Sequence, residues 1–389
     1  MLVVWGRQRR LALPGLLLGL ASLACGPAGG SAKPAAPPAG TPLAVDSVAR
    51  LTVGVARGDS TRELDRVVTP FLLPDGRLVV PVAGSSTIRL FAPDGELLRS
   101  LGRPGEGPGE FRSLEAAWPR GDTIEAFDDE LGRITRFPPE GPPLVVRLHA
   151  SPSDQAVVPG ALPDGWALYG VEEAGTGRRD RVVVRRFARD GSAAGVIARV
   201  EGMARRLTSL GGGPDPLSPR TAFAAHGGRV YVAETLTPAI HVLGPSGRLE
   251  REIRWRPTGT LSPDVAFREA VDAAVDAAGP DRAAGTRERL ESFPVRDRVP
   301  AFWDFRVDEE GFIWVQPFDP AEHSMVLPVA GGAGRGSGWL ILSPVGSSVG
   351  TVKMPDRFEP SWITRDQVVG IHRDDLGVEL VQVRALKRG

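Results

Sequence analysis

The sequence predicts an all-β chain, a six-bladed β-propeller of four-stranded antiparallel blades. The ring is closed by an N-terminal strand, and one helical insertion interrupts it between blades four and five. Three observations predict this. Short apolar runs recur from residue 67 to the end of the 389-residue chain. They are divided by turns such as Pro74-Asp75-Gly76 and Pro93-Asp94-Gly95, and Asp-Gly supplies the positive φ angles that tight hairpins need. Four such runs fit in ~35 residues, the size of one propeller blade.

The chain begins as an exported protein would. Arg7, Arg9 and Arg10 form a positive region ahead of an apolar run, 11–20, too short to span a bilayer. Ala21-Ser22-Leu23-Ala24-Cys25 follows. It resembles a bacterial lipoprotein processing site, with Ser22 where a large aliphatic residue usually stands. The reading is a signal peptide over 1–25 with Cys25 lipidated as the mature N-terminus; the alternative is an ordinary secretory signal with an incidental cysteine. Residues 26–44 are mostly Gly, Pro, Ala and Ser, so they read as a tether. Gly26 is not an aspartate of the inner-membrane-retention kind, and the resemblance to lipoproteins therefore implies the outer membrane.

The propeller is assigned to 45–386, and its first strand to 45–55. Blade one is expected at 67–73, 77–82, 87–91 and 96–101. Blade two is expected at 114–118, 123–127, 133–137 and 144–148. Blade three takes 155–162, 166–170, 181–187 and 194–200, and its Leu162-Pro163-Asp164-Gly165 repeats Leu73-Pro74-Asp75-Gly76. Blade four takes 221–225, 229–233, 239–243 and 249–255. Blade five takes 301–307, 312–317, 339–343 and 348–353. Blade six offers only 361–364, 367–372 and 378–386. A ring short of one strand leaves unpaired edges, and pairing 45–55 with the last blade removes them. The helical insertion covers about 258–298. Ser262 is a good N-cap and Pro263 fits the first helical position. Ala266, Ala270, Ala274 and Ala278, with Phe267, Val271 and Val275, form one apolar stripe. Gly279-Pro280 ends that helix, and a second is expected at 282–292.

Two stretches carry a family resemblance. One is the segment from Gly102 through Glu106, Glu110 and Phe111, after Ile88-Arg89-Leu90-Phe91-Ala92-Pro93-Asp94-Gly95. The other is Asp308-Glu309-Glu310-Gly311-Phe312-Ile313-Trp314-Val315. They resemble the six-bladed propeller lipoproteins of bacteria, relatives of the NHL-repeat and TolB-like propellers. The resemblance implies a fold and not an activity, because one propeller scaffold hosts many functions.

Composition narrows the chemistry. Lys+Arg and Asp+Glu both number 47, so nothing points to nucleic acid. One cysteine excludes an intrachain disulfide. The glycine-rich segment lacks the Lys-Ser/Thr of a phosphate loop and reads as an inter-blade turn; a pairing of Arg103 with Glu106, or Glu110 as a ligand, is the other reading. No G-x-S-x-G elbow is present. The histidines are His149, His226, His241, His323 and His372, none at metal-ligand spacing. His226 and His323 near strand or loop ends, with Asp128 and Asp129 of an acidic turn, are the candidate metal ligands, with Ca²⁺ the candidate ion; otherwise no cofactor is expected. Trp118, Trp166, Trp255, Trp303, Trp314, Trp339 and Trp362 fall on expected strands and read as core, with room for one or two at a channel mouth.

The functional expectation is a lipid-anchored, monomeric envelope module that binds a peptide, a glycan or a protein partner. A structural role in an envelope assembly is a second form of this reading. The rival is an NHL-like, metal-dependent lactonase or lyase with its site at the central channel.

Overall fold

The apolar runs become strands largely where the pattern places them. The structure, a computed structural model, describes residues 43–55, 63–149, 157–175, 178–208, 211–257, 261–323 and 338–388. The expected signal segment, Cys25 and residues 26–42 lie outside the described residues.

Strand β1 (Ala44–Val53) comes first. Blade I holds β2 (Phe71–Leu72), β3 (Leu78–Val82), β4 (Thr87–Phe91) and β5 (Leu97–Leu101). Blade II holds β6 (Leu114–Arg120), β7 (Thr123–Asp128), β8 (Arg133–Phe137) and β9 (Leu144–Arg147). Blade III holds β10 (Val157–Leu162), β11 (Gly165–Glu173), β12 (Arg179–Ala188), β13 (Ala193–Thr208) and β14 (Gly211–Pro214). Blade IV holds β15 (Thr221–His226), β16 (Arg229–Glu234), β17 (Ala239–Leu243) and β18 (Leu249–Arg254). Two helices follow, α1 (Pro263–Ala278) and α2 (Pro280–Glu291). Blade V holds β19 (Asp304–Val307), β20 (Ile313–Gln316), β21 (Gly338–Leu342) and β22 (Ser348–Lys353). Blade VI holds β23 (Phe358–Ile363), β24 (Gln367–Arg373) and β25 (Glu379–Lys387), with β1 as its outer strand.

Six-bladed architecture and closure by the N-terminal strand are as expected. β1 runs antiparallel to β25, from Ala44 opposite Lys387 to Val53 opposite Val381. The hydrophobic core is divided into inter-blade layers. Phe71, Ile88 and Phe111 fill the layer between blades I and II, and Trp118, Ile134 and Trp166 the layer between II and III. Trp314, Trp339 and Phe358 lie between V and VI. Val53, Val381, Leu78 and Phe91 lie between VI and I, across the seam. Burying each such side chain stabilises the ring by about 1.5–3 kcal/mol. A strand inside the sheet is packed on both faces and reads as a continuous apolar run, as in β3, where all five residues are buried. An outer strand is solvated, and in β18 only Ile253 is buried.

Two elements depart from the sequence pattern. β2 has two residues, where the apolar run suggested seven. Pro70 has no N–H for a ladder, and Val67 instead makes an isolated bridge to Val82. In blade III, β13 extends to Thr208 and turns back into β14, so that sheet has five strands. The Gly-Gly-Gly-Pro sequence of β14 gives no strand signal of its own.

Antiparallel order sorts the loops. Every inner strand (β2, β6, β10, β15, β19, β23) begins at one end of the ring, together with the links between blades and the loops between second and third strands. The Asp-Gly hairpins lie at the other end. The helices, inserted between β18 and β19, therefore belong to the first end, the channel mouth. Ser262 caps α1 by accepting from Val265 N–H. The buried face of α1, Ala266, Phe267, Ala270, Val271 and Ala274, packs on Leu217 of the blade III–IV link and on Leu290 and Phe293.

Candidate functional site

Several buried charges hold the scaffold that the mouth stands on. Glu125 of β7 is fully buried. Its carboxylate accepts from Trp118 Nε1 at 2.9 Å, Trp166 Nε1 at 2.7 Å, Arg120 Nε at 2.8 Å and Arg136 Nε at 3.0 Å. Arg120 also donates to the carbonyls of Leu162 and Gly165, which ties blade II to blade III. Asp308 plays the corresponding part in the Asp-x-x-Gly turn of blade V. It accepts from Glu310 N–H, Phe312 N–H and Trp314 Nε1, and from Arg388 at 2.6 Å.

The glycine-rich link is occupied by its own chain. Arg133, buried on β8, donates to the carbonyls of Glu106, Gly107 and Glu110. Glu110 accepts from Gly107 N–H and Arg103 Nε, both at 2.7 Å. The Gly107 N–H, and next the Arg103 guanidinium, hold its carboxyl below the usual range. Arg103 thus pairs with Glu110 and not with Glu106, which pairs with Arg112. Gly102 sits at φ +81° with the Phe111 ring against the place of a Cβ, so the segment needs glycine for packing.

The mouth itself is different. Arg220 precedes β15, Asp304 and Arg306 lie on β19, Glu115 on β6, Glu359 on β23 and Tyr169 on β11. Groups from five blades therefore converge, which only the axis of the ring permits. Asp304 Oδ2 pairs with Arg306 Nη1 at 2.7 Å and Arg220 Nη2 at 3.2 Å. Burial opposes its charge, but the two guanidinium groups prevail and hold the carboxyl below its usual range. Burial raises the Tyr169 hydroxyl, with Arg220, Asp304, Glu115 and Arg306 acting on it electrostatically. Tyr169 stacks on Phe223 with ring centroids 4.2 Å apart. Arg220 lies over Trp303 at 4.6 Å, and Trp303 stacks on His323 at 5.2 Å. Burial drives His323 down to about 4. Asp319 N–H reaches its Nδ1 at 3.1 Å. The Gln316 amide nitrogen lies 3.0 Å from the His323 Nε2.

The four candidate metal ligands are not brought together. His323 is at the mouth, whereas His226 ends β15 at the hairpin end, beside Gly311. Asp128 is fully buried and accepts from Leu131 N–H and Arg112 N–H, each at 2.8 Å. Burial raises its carboxyl, and those N–H groups offset only part of the rise. The turn reading of the Asp128-Asp129-Glu130 cluster thus accounts for Asp128. Asp129 acts on Glu115, whose carboxyl is raised first by burial and then by that neighbouring charge. Of the other histidines, His241 meets Glu252 on an exposed outer strand, and His372 lies on β24 opposite Phe358. Among the described residues, no three His, Cys, Asp or Glu side chains form a metal-binding group.

The sequence reading missed Tyr169, Arg220, Asp304 and Arg306. It did allow a tryptophan at the mouth, and Trp303 is there. The missed signal is positional: Glu115, Arg220, Asp304 and Glu359 each lie within one residue of the start of an inner strand. Beside the mouth, a cleft of about 590 Å³ is lined by Leu236, Trp255, Leu261, Val299, Phe318 and Leu340, among others. Phe318 also approaches Trp303, with centroids 6.2 Å apart, so one aromatic wall separates cleft and mouth.

No protein-family model matches the chain, and no curated protein does. Solved structures do match. A DUF4221 family member from Bacteroides vulgatus is 11% identical, with TM-score 0.54, over 90% of this chain and 99% of that one. A candidate exported protein from Bacteroides fragilis is 12% identical, with TM-score 0.48, over 89% of this chain and 95% of that one. Virginiamycin B lyase from Staphylococcus aureus is 11% identical, with TM-score 0.40, over 83% of this chain and 95% of that one. At these identities, the likeness to the DUF4221 member speaks for the fold alone, and the two weaker matches add nothing to it. No helix among the described residues is long and apolar enough to cross a membrane. What the chain shares with the DUF4221 member is its overall fold.

Proposed function

We propose that the protein is an exported envelope module, anchored to the outer membrane through lipidated Cys25, that binds a peptide, a glycan or a protein surface at the channel mouth. The observation that supports this is the convergence of Tyr169, Arg220, Asp304, Arg306 and Trp303, drawn from three blades, beside an apolar cleft. Rigid blades with polar groups converging at a concave mouth suit recognition, because their positions are fixed before a ligand arrives.

A photo-crosslinking residue at Phe318, compared in intact cells with the same residue at Val345, tests it. Phe318 stands at the mouth, and Val345 is 70% exposed at the hairpin end. Discrete adducts at Phe318 that are absent at Val345 are expected. Equal labelling at both ends, or none at Phe318, refutes the reading.

A further inference from the structure

We propose that the mouth holds a carboxylate group of its ligand, gripped by the guanidinium edge of Arg306 and the hydroxyl of Tyr169. This rests on the binding reading above and narrows it to one ligand chemistry. Arg306 directs Nη1 to Asp304 Oδ2 at 2.7 Å and to the Phe305 carbonyl at 3.1 Å. Its Nε and Nη2, the two parallel donors of one edge, have no hydrogen-bond partner among the described residues, and 30% of the side chain is exposed. A carboxylate matches such a two-donor edge, whereas an ammonium cannot offer it.

Neighbouring groups point the same way. The Arg220 side chain makes an ion pair with Asp304 and lies over Trp303, is 29% exposed, and donates no hydrogen bond to a described residue. The Tyr169 hydroxyl, on which both arginines act, has no hydrogen-bond partner among the described residues either. Both arginines pair with the same carboxylate, Asp304.

Charge selects the kind of anion. Arg220 and Arg306 against Asp304 leave one positive charge. Glu115 acts on Tyr169, and Glu359 on Arg306. With Glu115 and Glu359 counted, the mouth holds no surplus of positive charge, so a monoanion held by the open Arg306 edge meets less repulsion from the three carboxylates than a phosphate dianion would. The ligand class is therefore an organic carboxylate, such as a peptide C-terminus or a uronic acid.

Calorimetry on the full-length protein in detergent tests the assignment with three probes: benzoate, its neutral counterpart benzamide, and inorganic phosphate. Benzoate should bind, benzamide should bind at least about tenfold more weakly, and phosphate should bind more weakly than benzoate. Arg306→Lys keeps the charge but loses the fork and should weaken benzoate about tenfold. Tyr169→Phe removes one hydroxyl and should weaken it several-fold, and its small change keeps the test valid should Arg306→Lys fail to fold. Arg248→Lys, at the hairpin end, should change nothing. No benzoate binding, equal binding of benzamide, tighter binding of phosphate, or wild-type affinity in both mouth variants overturns the assignment. Adducts at Phe318 without benzoate binding would remove the carboxylate assignment and leave the binding reading standing. Arg306-dependent benzoate binding without those adducts would do the reverse.

Discussion

Replacing Glu125 should destabilise the protein more than a buried aliphatic truncation does. The carboxylate is fully buried and receives four donors, two indole N–H groups and two guanidinium groups. Glu125→Ala leaves Arg120 and Arg136, 19% and 22% exposed, without their anion. Removing one side of a buried ion pair costs about 3–5 kcal/mol, and each indole N–H left without a partner adds about 1–3 kcal/mol. Arg120 retains two carbonyl partners, and water relaxes part of the rest, so we expect about 4–6 kcal/mol in all. That is a large share of the ~5–15 kcal/mol by which domains are stable. Glu125→Gln keeps the shape and one acceptor but loses the charge, and about 3 kcal/mol is expected. Urea unfolding followed by tryptophan fluorescence gives both values. A double-mutant cycle with Trp166→Phe, which removes one donor, should show coupling of about 1.5 kcal/mol. A loss below about 1 kcal/mol for Glu125→Ala would refute the claim that this hub joins blades II and III.

Three other outcomes are expected. Burial drives His323 to about 4 from 6.5, so the fold favours the neutral ring; its contribution is complete above pH 6.5 and is lost as pH falls toward 4. By linkage the loss at pH 5 is about 2 kcal/mol, measured as the extra drop in stability from pH 7 to pH 5 relative to His323→Asn; equal drops would count against it. Gly102→Ala should cost about 2–3 kcal/mol in a urea melt, because φ is +81° and the new Cβ would lie 2.7 Å from the Phe111 ring. Cys25→Ala should move the protein out of the membrane fraction, and continued membrane association would contradict the lipid anchor.

The blades were legible because their signals are local. An apolar run between Asp-Gly turns yields a strand wherever its neighbours do not interfere, and the missing strand of the last unit announced the pairing with β1. Where local signals conflict, the reading failed: Pro70 cut β2 short, and β14 arises from a backward turn in a glycine-rich stretch. The glycine-rich link was read as structural, and its anchor, Arg133, is 27 residues from Glu106. The mouth was the least legible. Arg220 and Asp304 are 84 positions apart in the chain, and their pairing exists only because two inner strands begin at the same end of the ring. Aligning the repeats on the starts of their inner strands would have shown the charges recurring there. His323, singled out as a possible metal ligand, proves to be engaged by Asp319 and Gln316.

The central claim is that the Arg306 edge at the channel mouth is open in the free protein and closed by its ligand. Hydrogen exchange of the arginine Nε–H groups, followed by ¹⁵N NMR on the full-length protein in micelles, tests this most directly. Arg133, 3% exposed, with its Nε buried and its Nη1 and Nη2 fixed by three carbonyls, provides the slow reference. The account predicts fast exchange at Arg306 in the free protein, slowed at least about tenfold by benzoate while Arg133 is unchanged. Exchange at Arg306 already as slow as at Arg133 without ligand, or unaltered by benzoate, would contradict it.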